Sequence, residues 1–322
     1  MALISVSFLA VPGCRLKEAA VLTDSADITM PGAGIASSED LSDTTSASRE
    51  KALATLQAGT VQETAAVTSS ASTAEPAETT GLQSAMADTG GTSCETITAT
   101  SAMPITADEI SLLPAGSIVD DFIKNMAAID ECFYYEEISG DLFERMNNKS
   151  YKEDCTVPLS DLRYVRVLHY GFDGCVHVGE LVVNQKIAQD MVEIFLALYD
   201  ARYPVERMCL IDDYNADDNA SMSANNTSAF NYRVVSGTSA LSKHAMGLAI
   251  DVNPLYNPWI HKKNGEKVID PVEGAAYADR TLDCEYYLDE EDLCVMLFLE
   301  HGFTWGGNWK SSKDYQHFSK SF

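Results

Sequence analysis

Apolar residues return with the period of an amphipathic helix between Lys186 and Tyr203, where Ile187, Met191, Ile194, Leu198 and Tyr199 share one face behind Asn184 as N-cap. A second helix is predicted from Glu290 to His301, capped by Asp289, with Leu293, Met296 and Leu297 inward and Gly302 ending it. A third is expected around Ile118, Phe122, Ile123 and Met126. Short β-type runs lie between them at Tyr164 to His169, Leu181 to Val183, Met208 to Ile211, Tyr232 to Val235 and Leu248 to Val252. Phe172-Asp173-Gly174 has the composition of a hairpin turn. Strands and helices do not alternate regularly, so the pattern predicts an α+β domain on a small, mainly antiparallel sheet flanked by helices, not a doubly wound one.

The pattern fades toward the N-terminus. From Leu9 to Asp121 there is no Phe, Trp or Tyr, and Ser, Thr, Ala, Glu and Asp recur without helical or strand period. Such a stretch buries too little apolar surface to offset its ordering entropy, so residues 15–113 are expected to be a disordered tether and residues 114–322 one globular domain. Met1 to Pro12 contain a short apolar run, too short to span a bilayer and read as the core of a signal peptide. Val11-Pro12-Gly13-Cys14 resembles a lipobox, which makes Cys14 a candidate lipidation site and residues 1–14 a leader or lipoprotein anchor. The expected location is extracellular or on a bacterial surface, with the membrane reached only through that anchor.

A formal net charge of -26 excludes a general basic patch for nucleic acid or anionic lipid, because the overall field repels both. No internal repeat, P-loop or G-x-G-x-x-G occurs. Eight cysteines include no C-x-x-C pair, which argues against a cysteine-rich zinc knuckle and leaves any disulfide pattern open.

Candidate chemistry concentrates at two places. Ser242-Lys243-His244-Ala245-Met246-Gly247-Leu248-Ala249-Ile250-Asp251 sets an imidazole and a carboxylate seven residues apart with Gly247 between them. Gly247 and the following Asn253-Pro254 disfavour a helix here, so the segment is read as a turn entering a strand, with Asp251 on the face opposite Leu248, Ile250 and Val252. A carboxylate in an otherwise apolar strand needs a partner to offset desolvation; a metal is one, and a buried His-Asp hydrogen bond accounts for the pair equally well. The second place is Lys313-Asp314-Tyr315-Gln316-His317-Phe318, preceded by Trp305-Gly306-Gly307-Asn308-Trp309. Two His and one Asp leave a fourth position for water on a tetrahedral zinc, the open geometry of catalytic sites.

Ser-x-His-x-x-Gly-x-Ala-x-Asp followed by a distant Asp-x-x-His resembles the signature of the zinc D-alanyl-D-alanine peptidases, the VanX and VanY group, which belongs with lysostaphin and the sonic hedgehog fold. The match is complete at Ser242, His244, Gly247, Ala249, Asp251, Asp314 and His317. The resemblance extends from about Phe133 to Phe318 and includes His177-Val178-Gly179-Glu180 and the run from Asn226 to Arg233. It implies that His244, Asp251 and His317 bind Zn2+, that Asp314 is the general base, and that Arg233 stabilises the oxyanion. Ser242 would support the turn, while His177 and Trp305 would shape the substrate cleft. Asp at the base position points to the VanY-like and endolysin-like branches.

The implied activity is a zinc metallopeptidase acting on peptidoglycan stem peptides, with no nucleic-acid partner and a monomeric state expected. Removal of the terminal D-Ala is favoured over cleavage of the L-Ala-D-Glu bond, because no wall-binding module is visible. A non-catalytic zinc module, as in the hedgehog fold, is the third alternative; the presence of Asp314 beside all three ligands argues against it.

Overall fold

The computed structural model describes residues 14–16, 106–124, 126, 128–235 and 238–322. They fall in one compact unit; the chain's other unit, residues 19–90, lies outside them, as do most of the expected leader (1–13) and tether (17–105). Within them the architecture is α+β with small antiparallel sheets, as the pattern of apolar positions predicts.

The sheet with the longest strands forms because two of its segments are buried along most of their length, with a third, largely exposed strand at its edge. Strand β2 (Tyr134–Glu137) pairs with β3 (Leu162–Tyr170), and β3 pairs with β4 (Val176–Asn184) from Leu162↔Asn184 to Tyr170↔Val176. The predicted hairpin turn closes β3 onto β4 through Gly171 N–H to Cys175 O, with Gly174 at φ +76°. Val165, Val167, Leu181 and Val183 are buried in one cluster with Met191, Ile194, Phe195 and Leu198 of the helix Ala188–Asp200. Burying each such side chain contributes about 1.5–3 kcal/mol, so this helix and hairpin are the mechanical base of the domain.

The structure moves several boundaries. Preceding elements include the short helices α1 (Ala107–Ser111), α2 (Asp120–Ile123) and α3 (Gly140–Met146), so Ala188–Asp200 is α4. Helix α1 carries a capping box from Thr106 to Glu109 and buries Ile110, and Arg166 donates to Leu113 O. This segment before residue 114 therefore packs on the core, through Ile110 with Ala107 and Leu113 and through the Arg166 guanidinium on its carbonyls. Asn184 does not cap α4; its Oδ1 accepts from Lys186 N and its Nδ2 donates to Met246 O.

The helix expected from Glu290 is Leu293–Glu300, the sixth, following α5 (Asp218–Ser223). Asp292 caps this α6 by accepting from Cys294 N and Val295 N, while Asp289 holds the turn before it. The later start changes the buried face to Cys294, Val295 and Phe298, and leaves Met296 exposed, contrary to the expected inward stripe. Met208 to Ile211 and Tyr232 to Val235 are not strands. Their backbone groups bond to scattered partners and not along one neighbouring strand: Met208 O accepts from Glu180 N, Cys209 N donates to the Asn226 side chain, Leu210 N to Glu180 Oε1, Tyr232 N to Ser150 O and Val235 N to Ala240 O.

Two smaller sheets carry the chemistry. In one, β11 (His317–Ser319) lies between β5 (Ala249–Asp251) and β9 (Thr304–Trp305). In the other, β6 (Trp259–Lys263) lies between β7 (Glu266–Asp270) and β10 (Lys313–Asp314). Strand β1 (Cys14–Leu16) pairs antiparallel with β8 (Leu282–Cys284), setting Cys14 opposite Cys284 along the backbone. Cys284 is disulfide-bonded, and Cys132, Cys155, Cys209 and Cys294 keep their thiols. No helix among the described residues is long and apolar enough to cross a membrane.

Candidate metal centre

The turn ahead of β5 is built by short-range hydrogen bonds. Ser242 Oγ accepts from His244 N, and Ser242 N donates to Arg233 O, so this serine braces the loop. His244–Met246 form one 3-10 turn that Gly247 ends at φ +65°. A Cβ at Gly247 would lie 2.6 Å from Asn184 N, so both the backbone angle and the close approach to β4 require glycine. The chain then enters β5 with Ile250 and Val252 fully buried and Asp251 on the other face.

Strand β11 brings the distant half of the motif alongside. Antiparallel pairing sets His317 directly opposite Asp251, and directly opposed residues place their side chains together on one face. The imidazole of His244 completes a triangle. His244 Nε2 is 3.2 Å from His317 Nδ1, His317 Nδ1 is 3.0 Å from Asp251 Oδ1, and His244 Nε2 is 3.3 Å from the same oxygen. Tetrahedral zinc with ligand distances of about 2.0–2.1 Å separates its ligand atoms by about 3.3 Å, so the three atoms already mark one face of such a tetrahedron. His244 Nδ1–H donates to Ala229 O at 2.7 Å, and since a carbonyl only accepts, in the neutral imidazole Nε2 carries the lone pair a metal needs. The triad is the one group of three or more His, Cys, Asp or Glu among the described residues with metal-holding geometry.

Charge agrees with this donor set. Burial alone would raise the Asp251 carboxyl, yet His244 and His317 hold it well below its ordinary value. Burial would lower His244, but the Asp251 carboxylate outweighs it and the imidazole is raised, so a cation binding at Nε2 would have to displace a proton there. An ionised carboxylate between two imidazoles offers a divalent cation partial neutralisation.

Asp314 lies three residues before His317, on β10 opposite Trp259 of β6. Its Oδ1 is buried and has no hydrogen-bond partner. Burial pushes the carboxyl up to about 7; the Asp251 charge acts in the same direction, and the His317 charge, the Gln316 side chain and Arg233 act against it. Gly306 permits this placement, because a Cβ there would lie 2.5 Å from Asp314 O. A buried carboxyl near neutrality with an unused oxygen is suited to taking and returning a proton.

Arg233 forms an ion pair with Asp218 through its Nε, and its charge reaches both His244 and Asp314. Asp218 carries no mark in the sequence beyond the Asp217-Asp218 pair that opens α5, and pattern reasoning missed it. Of the two indoles that could line a cleft, Trp309 is 39% exposed and its ring lies tilted at 54° with its centroid 5.4 Å from that of His317. Trp305 is 3% exposed and donates from Nε1 to Tyr315 O, so it packs behind the site and not in a cleft. His177 is in β4, held by Asp173 and Gly116 O and stacked on His169, and does not join the triad. Cys14 belongs to β1, and its side chain lies outside the described residues.

No curated protein and no solved structure matches the chain. Residues 236–320, which contain Ser242, His244, Asp251, Asp314 and His317 but not Arg233, match the D-alanyl-D-alanine carboxypeptidase family, so this part of the chain is similar to peptidases of that family.

Proposed function

We propose that this protein is a zinc-dependent peptidase that removes the terminal D-Ala from peptidoglycan stem peptides. The observation that carries the reading is the triangle of His244 Nε2, Asp251 Oδ1 and His317 Nδ1 beside the unpartnered buried oxygen of Asp314. His244, Asp251 and His317 would hold the zinc, which supplies Lewis acidity and makes water acidic enough to deprotonate near neutral pH. Asp314 accepts a proton from the attacking water and later gives it to the leaving amine. Arg233 donates to the oxygen on which negative charge develops. The exposed indole of Trp309 offers an apolar wall over His317, against which a small side chain such as the D-Ala methyl packs.

Secretion belongs to the same reading and is supported by the apolar run before Gly13-Cys14; the mass of the mature N-terminal peptide tests lipid attachment at Cys14. A hedgehog-type arrangement is the fold we propose around the two small sheets. The deciding experiment is mass spectrometry of a stem pentapeptide incubated with the zinc-loaded chain. Loss of one alanine from the D-Ala end supports the carboxypeptidase. Release of L-Ala from the other end replaces it with an endopeptidase, and bound zinc with no cleavage of any stem peptide replaces both with a binding module.

A further inference from the structure

We propose that Asp218 is the positioning residue for Arg233, holding the guanidinium side-on so that its two terminal nitrogens face the reacting carbonyl. The inference rests on the function proposed above. Asp218 is the first residue of α5, but it does not cap the helix; Asp217 does, by accepting from Ala220 N at 3.1 Å. The Asp218 carboxylate is therefore available for other work, and its two oxygens are divided between two partners. Oδ2 lies in ion-pair contact with Arg233 Nε, a buried atom whose N–H makes no hydrogen bond to a described residue, while Oδ1 accepts from Asn231 Nδ2 at 3.0 Å.

Asn231 ties this arrangement to the metal loop. It is 3% exposed, its Nδ2 also donates to Ala216 O, and its backbone N–H donates to His244 O. The backbone carbonyl of Arg233 in turn accepts from Ser242 N. Asp218, Asn231 and Arg233 are thus fastened to the same turn that presents His244. Neither terminal nitrogen of Arg233 makes a hydrogen bond to a described residue, while the charge of the group bears on His244 and Asp314. An arginine engaged only through Nε keeps its Nη fork free in one plane, and that suits it to an oxyanion. Without Asp218 the guanidinium loses this ion-pair partner, and because 29% of the arginine side chain is exposed, packing alone holds it less firmly in one rotamer.

The test uses the zinc-loaded full chain and two readouts. The first is the 15N signal of Arg233 Nε–H, which an ion pair shifts and protects from solvent exchange; Asp218→Asn abolishes that protection, and Asp218→Glu restores part of it. The second is turnover of the stem pentapeptide. Asp218→Asn lowers kcat about a hundredfold, the loss expected from a misplacement of roughly an ångström, with KM little changed and one zinc per chain retained. In an Arg233→Lys background the same substitution has almost no further effect, because its target is gone. Full kcat in Asp218→Asn overturns the proposal, and so does an equal loss in both backgrounds. If the wild-type chain cleaves no stem peptide, the proposed activity fails on its own, and the Nε signal still decides whether Asp218 positions Arg233: an unchanged signal in Asp218→Asn overturns it.

Discussion

Two glycines with the same backbone sign but different surroundings separate conformational strain from crowding at the metal loop. Gly247 has φ +65°, and a Cβ there would meet Asn184 N at 2.6 Å, Leu162 Cδ2 at 3.1 Å and Val183 C at 3.1 Å. Gly265, in the Asn264-Gly265 turn between β6 and β7, has φ +87° with nothing within 4 Å of the added atom. Left-handed backbone costs a non-glycine residue about 1–2 kcal/mol, which is the whole expected effect of Gly265→Ala. At Gly247 the contact is with backbone of β4, which cannot rotate away, and overpacking of this kind adds about 1–3 kcal/mol. Gly247→Ala is therefore expected to cost about 2–5 kcal/mol in all. In a domain of this size each kcal/mol moves Tm by roughly 2–4 °C, so Gly265→Ala lowers Tm by about 2–8 °C and Gly247→Ala by about 4–20 °C. Thermal unfolding followed by circular dichroism, with chelator present so that metal binding does not contribute, gives the comparison. Repeating it with zinc adds the functional half: Gly265→Ala keeps the full metal-induced rise in Tm, whereas Gly247→Ala loses much of it because His244 is displaced. Equal drops for the two variants, or an undiminished zinc-induced rise in Gly247→Ala, would refute the claim that close packing on β4 sets the metal loop.

Three further outcomes follow from the site and its surroundings. Substituting His244→Ala or His317→Ala removes one corner of the triangle, so metal content measured by atomic absorption falls together with activity. Asp314→Asn keeps one zinc per chain but lowers kcat about 10²–10⁴-fold, the range for loss of a general base; a metal-free product would assign Asp314 to the ligand set instead. The N-cap Asp292 has its carboxyl pushed up to about 6 from an ordinary 3.8, chiefly by burial and against its hydrogen bonds from Val295 N and Tyr203. A raised folded value means that this group's stabilising effect is complete below about pH 4 and lost as pH rises through about 6, at most on the order of 3 kcal/mol. Asp292→Asn keeps a good cap and removes that slope, so the stability gap between wild type and variant in urea titrations should move by about 2–3 kcal/mol between about pH 4 and about pH 7; a constant gap would contradict the burial argument.

What the linear sequence determined was local. Apolar period placed α4 within two or three residues of its ends, alternation around Ile250 and Val252 put Asp251 on the opposite face of a short strand, and the positive-φ demand of the turn was visible in Gly247. The residue types at His244 and Asp251 admitted a metal or a buried His-Asp hydrogen bond equally, and it was the resemblance of the whole set, with Asp314 and His317, to a peptidase signature that implied the metal. Other features were decided only by the tertiary structure. That His317 stands opposite Asp251 depends on the register of β11 against β5, a pairing across 66 residues that no local pattern encodes. The ionisation of Asp314 depends on burial beneath Gly306 and β6, and the same burial moved Trp305 into the core while leaving Trp309 exposed. Asp218 was invisible for the same reason: an acidic residue at the start of a helix reads as a surface charge, and only folding α5 against the Asn231 to Arg233 segment gives its carboxylate a partner. Local propensity and patterning act within a few residues, whereas register, burial and charge pairing are set by contacts between segments far apart in the chain, and a catalytic site is made of the second kind.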